Sequence, residues 1–458
     1  MSVVPGTIDT ARQPPMTVPL RHFVVALGLL LVGIGIELGV AVGVVLGTGY
    51  LAHVHLVLVG WVCLTIMGAM TQFVPVWSGV ELHSRRLSTV QLWLVAGGLL
   101  GFAGSLLTSR LGWLPVFGGA MLLGFWLFVY NVGRTLGATS EYDVTERHFL
   151  LALGFFVLVS SVGVLLAVDG VHPVFASLSL TRSAVITTHV TLALFGAVMT
   201  TILGALYQLG TMFTQTKLHG VDIWLRRAEE VGYPVGVVLL AVGRLFDALL
   251  VARVGGVLVT VTLFGFSIVL ARRLTETSVE WNPMLTRYAV VVPALALWSG
   301  LTFFAWLGDP LAYATRFGAP SSFYLLVLGV VGFVVFGTLY HVVPFVVWVH
   351  RYSDLLGYEP VPMIDDLYSD RIATFDFGLV VTGTFTLVAT KMFSLPSLGG
   401  FLGRVLLLTG VVFFVVNILR VVHVHSPHSL VGVLFTAQRR DENDGAESTG
   451  SRSVERLR

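Results

Sequence analysis

Long apolar stretches alternate with short polar connections from residue 21 to residue 422, each close to the roughly 20 residues that a helix needs to cross a bilayer. The alternation predicts twelve spans, at 21–47, 52–77, 88–108, 113–136, 147–168, 184–213, 231–252, 254–273, 286–307, 321–349, 373–393 and 399–422. A slower rhythm lies over the first. His53-Val54-x-Leu56-x-Leu58-x-Gly60, continued by Gly68-Ala69-x-x-Gln72, returns as His189-Val190-x-Leu192-x-Leu194-x-Gly196 with Gly204-Ala205-x-x-Gln208, an offset of 136 residues (189 − 53). A fainter third copy runs from Gly329 through Gly337-x-x-Tyr340-His341-x-x-Pro344, where Tyr340 matches Tyr207 and Pro344 matches Pro75. The copies occupy spans 2, 6 and 10. They divide the chain into three sets of four helices, about 21–136, 147–273 and 286–422, and predict an all-α membrane bundle with pseudo-threefold symmetry.

Composition fixes the solvent and excludes most other classes. With 55% hydrophobic and 11% charged residues, the chain has no room for a soluble domain of any size. It contains no phosphate-cradling Gly-x-x-x-x-Gly-Lys, no nucleophile elbow, no CxxC and no CxxCH. Nothing points to nucleic acid. Cys63, the single cysteine, has no partner for an intramolecular disulfide. Basic residues gather after even-numbered spans, at Arg85, Arg86, Lys217, Arg226, Arg227, Arg272, Arg273 and Arg351, which places both termini in the cytoplasm of a plasma (inner) membrane protein. Residues 1–20 hold prolines and no apolar core, and read as a cytoplasmic tail rather than a signal peptide. Residues 432–458, with Arg439, Arg440, Asp441, Glu442, Asp444 and Glu447 among glycine and serine, read as a disordered cytoplasmic tail.

Candidate chemistry resides in the few polar residues inside the spans, because each is costly at that depth. Glu37 in span 1, His53 and His55 at the head of span 2, His189 at the head of span 6, and Arg244 with Asp247 in span 7 all fall in the outer half. Arg244 and Asp247 are three apart and are expected to pair on one helix face. Glu37, between Ile36 and Leu38, is expected to face a polar cavity. His53 and His55 lie about 200° apart around a helix, so one helix can serve two sites. The repeat aligns His53 with His189, and neutral imidazoles at one depth suit a haem iron or copper. His341 aligns instead with Gln72 and Gln208 near the cytoplasmic side; it could share a second site with His350, but a bond to a backbone carbonyl is the plainer expectation. His22, His83, His148 and His219 lie in or beside cytoplasmic connections and read as surface residues. His423, His425 and His428 follow the last span, interrupted by Pro427, and read as interfacial.

Twelve helices in three arcs, His53-x-His55, Gly60-Trp61 and Gly68 with Pro75, and Gly-x-x-Tyr at Tyr207 and Tyr340 together resemble subunit I of the haem-copper oxidase superfamily, closest to its nitric oxide reductase branch and to NnrS-type membrane haem proteins. The resemblance implies a membrane haem protein, with non-covalent haem and a copper site as the cofactors, an electron-donor protein or partner subunit, and oxygen, nitric oxide or electron-transfer chemistry. It implies His53 or His55 as an axial haem ligand, His189 as a ligand to haem or copper, and Glu37, Arg244 and Asp247 as groups that surround the site or handle protons. The chain departs from the family in lacking any histidine in span 7 and in carrying Ser322 and Tyr324 where span 10 holds the family's haem-ligating histidines. Two other classes fit the residues: an ion or solute transporter working through Glu37, Arg244 and Asp247, and an assembly or metal-delivery relative without catalysis.

Overall fold

In the computed structural model, which describes residues 14–435, long helices follow one another through short turns. They are α1 (Thr17–Ala41), α2 (Gly49–Ser78), α3 (Arg85–Leu107), α4 (Leu111–Leu136), α5 (Val144–Asp169), α6 (Arg182–Thr214), α7 (Val221–Leu245), α8 (Leu249–Thr275), α9 (Pro283–Gly308), α10 (Leu325–Arg351), α11 (Asp370–Met392) and α12 (Ser397–His425), with a short α13 (Leu430–Phe435). Local chemistry sets their ends. Asp143 and Glu146 form a capping box that opens α5, the Asn282 side chain caps α9 ahead of Pro283, and Gly79 closes α2 at φ 64°. No strand occurs among the described residues. Eleven of these helices are long and apolar enough to cross a membrane, so the protein is an all-helical polytopic membrane protein. The remaining long helix, α7, carries Glu229, Glu230 and Arg244, which break its apolar run.

Two expectations are corrected here. The predicted seventh span, 231–252, is cut by a turn at residues 246–248, where Asp247 adopts the left-handed conformation (φ 54°), and the helix instead begins at Val221 in a charged stretch that apolar runs do not register. The tails predicted at 1–20 and 432–458 are shorter: α1 starts at Thr17 and α13 reaches Phe435, where the Arg21 guanidinium donates to the Val433 carbonyl at 2.8 Å. Residues 1–13 and 436–458 lie outside the described part of the chain.

The recurring helices share one mode of packing. Each of α2, α6 and α10 packs against the helix before it through two glycines. A Cβ on Gly68 would come within 2.7 Å of His22, one on Gly204 within 2.6 Å of His148, and one on Gly337 within 3.2 Å of Arg287. One level away, a Cβ on Gly60 would come within 3.0 Å of Leu29, one on Gly196 within 2.8 Å of Phe155, and one on Gly329 within 2.8 Å of Ala294. The three partners are thus spaced alike along α1, α5 and α9, seven residues from His22 to Leu29, from His148 to Phe155 and from Arg287 to Ala294. All three recurring helices also loosen into a π-helical segment at the matching place, Leu56–Cys63, Thr191–Met199 and Leu325–Gly332. Such segments are rare and often lie beside functional sites. The hairpins α3–α4, α7–α8 and α11–α12 close tightly as well; a Cβ on Gly255 would come within 2.7 Å of the Gly236 carbonyl and one on Gly383 within 2.9 Å of the Gly403 carbonyl.

Candidate functional site

A cavity opens at the end of the bundle that carries His53. It measures about 590 Å³ and lies between α1, α2, α10, α11 and α12, within the range of roughly 300–1,000 Å³ that small-molecule and cofactor sites occupy. Its walls are mostly apolar, including Leu30, Ile34, Val57, Trp61 and Phe336. His53 is its histidine. The ring is held by a hydrogen bond between Nδ1 and the Gly33 carbonyl of α1 (2.9 Å), which leaves Nε2 facing Glu37, whose Oε2 stands 3.7 Å away. Gly33 allows that approach, because a Cβ there would meet Val57 at 3.0 Å. Glu37 lines the cavity as expected, and its Oε1 accepts from the Arg404 Nε of α12 at 2.9 Å. Arg316, Lys391 and Arg404 also line the cavity, so cations outnumber the single carboxylate. Tyr324, just ahead of the α10 π-segment, and Tyr50 complete its polar edge.

The other two predicted histidines turn elsewhere. His55 does not line this cavity: its Nδ1 bonds back to the Leu51 carbonyl at 2.8 Å and its ring lies against Phe102 of α3, centroids 5.0 Å apart. His189 also points away from it, against α5, where a Cβ on Gly163 would stand 3.1 Å from its ring. Of the three histidines, the structure therefore places His53 alone in the cavity.

Arg244 of α7 is buried between α6, the end of α9 and the loop that leads to α10. Its guanidinium donates to Thr191 Oγ1 (2.8 Å) and to the carbonyls of Pro310 (3.0 Å), Thr315 (3.1 Å) and Arg316 (3.1 Å), with Trp306 alongside. The expected Arg244–Asp247 pair does not form, because the turn after Leu245 carries Asp247 to the surface near Arg253 while Arg244 remains 3% exposed.

Sequence reading missed a layer of ionisable residues at the opposite end of the bundle. Arg287 of α9 and Asp376 of α11 form a buried ion pair; Tyr340 donates to the same carboxylate, and the Asn417 amide donates to the Tyr340 hydroxyl at 3.0 Å. In the second repeat, His148 Nε2 lies 3.1 Å from a Glu229 carboxylate oxygen, both side chains almost fully buried. His22 is buried too, with Nδ1 against the Val18 carbonyl at 2.8 Å. The expectation of surface positions for His22 and His148 is thus corrected: each is covered by the glycine of the next helix, Gly68 or Gly204. His83 and His219 are exposed as expected. His341 packs against Phe213 (centroids 4.0 Å) and Phe345, with no carbonyl partner for its ring, while His350 Nδ1 bonds to the Val346 carbonyl at 2.9 Å. Arg404, Arg287 and Asp376 were not singled out in the sequence, although each is a charge inside an apolar span. No protein-family model and no curated protein matches the chain.

Proposed function

We propose that the protein is a membrane haem protein that holds its cofactor in the cavity beside α2, with His53 as axial ligand. One observation carries the reading: His53 Nδ1 is tied to a backbone carbonyl, which fixes the ring and leaves Nε2 free toward a large apolar cavity. The cavity fits the group in two further respects. Its walls can cover a flat apolar macrocycle, and Arg316, Lys391 and Arg404 can receive two propionates. Haem bound there would supply one-electron redox chemistry and a position for a diatomic ligand such as oxygen or nitric oxide. Glu37 sets a negative charge beside Nε2 and is itself held by Arg404, so this carboxylate is placed to balance charge or take a proton at Oε2.

The matched glycine contacts and π-segments support a finer architecture, twelve spans as three sets of four in the manner of oxidase subunit I; the basic residues after even-numbered spans support both termini on the cytoplasmic side of the plasma membrane and the cavity in the outer half. In this reading an electron-donor protein meets the outer face. Copper at the helix-7 position of the oxidases finds no support, since α7 carries no histidine and its Arg244 is held by Thr191 and loop carbonyls. A carrier is the second reading, favoured by the Glu37–Arg404 pair at the edge of a cavity. The reduced-minus-oxidised absorption spectrum of purified protein separates the two. A Soret and α-band present in the wild type and lost in His53→Ala is expected; a colourless protein that stays colourless after reconstitution with haem overturns the haem reading.

A further inference from the structure

At the end of the bundle opposite the cavity, the second and third sets of four helices place polar side chains at matching positions. His148 of α5 faces Gly204, as Arg287 of α9 faces Gly337. Glu229 lies seven residues before Gly236, and Asp376 seven before Gly383, the glycines that pack α7 and α11 into their hairpins. Tyr207 and Tyr340 each follow three residues after the facing glycine. In the first set the corresponding residues are His22, which faces Gly68, and Gln91, seven before Gly98. The contents differ. The third set holds the permanent ion pair of Arg287 and Asp376, closed by Tyr340, and the first has an amide where the others have a carboxylate. The second pairs two groups that both titrate, His148 and Glu229.

We infer that His148 and Glu229 are a proton-binding site, which takes up and releases one proton held between the imidazole and the carboxylate. The hydrogen bonds require that proton. A carbonyl only accepts, so His148 Nδ1, 2.7 Å from the Val144 carbonyl, carries a hydrogen. Nε2 then bears a lone pair unless a second proton is bound, and it lies 3.1 and 3.2 Å from the two Glu229 oxygens. Without that proton two acceptors face each other and the carboxylate is buried uncompensated, which is costly. The other ionisable groups nearby have partners of their own. Glu146 accepts from Ser78 and the Asp143 amide, Asp222 is held by Arg272 and Arg273, and Tyr233 donates to the Phe195 carbonyl. Arg147 and Arg226 hold Glu230, which is 19% exposed and adjoins Glu229 in the chain, so it is the group through which the proton exchanges with solvent. The buried Tyr207 hydroxyl has no hydrogen-bond partner, and its ring lies 5.7 Å from that of His148. Tyr340 at the matching place donates to its carboxylate, so Tyr207 is the donor placed to hold Glu229 when the proton leaves. This site does not depend on what the cavity holds, because His53 and Glu37 take no part in it.

The test is solid-state nitrogen-15 spectroscopy of the full-length protein, labelled at histidine and reconstituted in lipid, with the pH stepped from about 5 to about 9, either side of the ordinary histidine value. Infrared spectra of the same samples follow the carboxyl band, and His148→Gln and Glu229→Gln identify the two signals by their loss. In the wild type, His148 doubly protonated or Glu229 as the acid is expected at the low end, with one proton lost from the pair as the pH rises. In Glu229→Gln, whose amide can itself donate to Nε2, His148 is expected to stay singly protonated. Where a single substitution does not fold, His148→Arg combined with Glu229→Asp installs the charges of the third set and is expected to fold without the pH-dependent change. A neutral His148 beside an ionised Glu229 across the whole interval overturns the inference, as does a proton that never leaves, or a His148 titration unchanged by Glu229→Gln. His53→Ala, which tests the haem reading, is expected to leave these spectra unchanged, so failure of either reading is seen separately.

Discussion

The loop between α9 and α10 borders two clefts of opposite character: Ala314 and Arg316 line a cavity of about 590 Å³, while the carbonyls of Pro310, Thr315 and Arg316 turn to a cleft occupied by the buried Arg244. In the packed cleft, the guanidinium spends its hydrogen bonds on Thr191 and three loop carbonyls, so the protein supplies from its own chain what a ligand would otherwise fill. In the open cleft, His53 is anchored but its Nε2 has only a carboxylate oxygen at 3.7 Å. The contrast teaches that the chain can close a buried polar gap with its own side chain. An opening kept beside an oriented histidine is a feature to be explained by what binds there.

The comparison breaks most readily at its packed side. Arg244→Ala removes four hydrogen bonds, takes their donor from the Pro310 and Arg316 carbonyls and leaves a void, and is expected to cost about 3 kcal/mol or more, read as a lowered melting temperature in detergent; an unchanged melt would show that the plug is not structural. Gly204→Ala tests the shared register. Its Cβ would stand 2.6 Å from His148, and such overpacking typically costs about 1–3 kcal/mol, with a matching loss expected for Gly68→Ala. Glu37→Gln sharpens the open side. The pair with Arg404 is partly exposed, so stability should fall by no more than about 1 kcal/mol, while the midpoint potential of bound haem should rise as a negative charge beside His53 is lost; redox titration decides it. The smallest effect lies outside both clefts. The hydrogen bond from His219, and then Arg273, holds the Glu276 carboxyl below its ordinary value. Its contribution is therefore in full force above the ordinary carboxylate range and is lost as acid takes the pH down through the depressed value. Hydrogen exchange at the end of α8 should accelerate over that acid interval in the wild type and lose this dependence in Glu276→Gln.

Much of the fold was legible in the sequence because apolar runs and glycine spacing obey local rules. The three recurring helices and their pairing followed from Gly60, Gly68 and their counterparts, since a glycine eight residues from another marks one helix face. The α7 boundary was not legible: Asp222 to Glu230 is helical but charged, and an apolar window starts too late. Of the site, His53 and Glu37 were found, but Arg404 was not, because its partner stands 367 residues away and only the fold brings them together. Arg287 and Asp376 share that reason, being 89 residues apart. The division of labour between His53 and His55 was foreshadowed by their angular separation on the helix; which cleft each faces depends on where α1, α3 and α5 lie.

The account turns on what fills the cavity beside α2, and a cryo-EM map of the purified full-length protein addresses that directly. The account predicts a planar density joined to His53 within the cavity that Trp61 and Phe336 line, with its polar rim toward Arg316, Lys391 and Arg404. Acyl-chain density or bulk solvent reaching His53 in protein that carries a haem spectrum would contradict it, since the haem would then be held elsewhere.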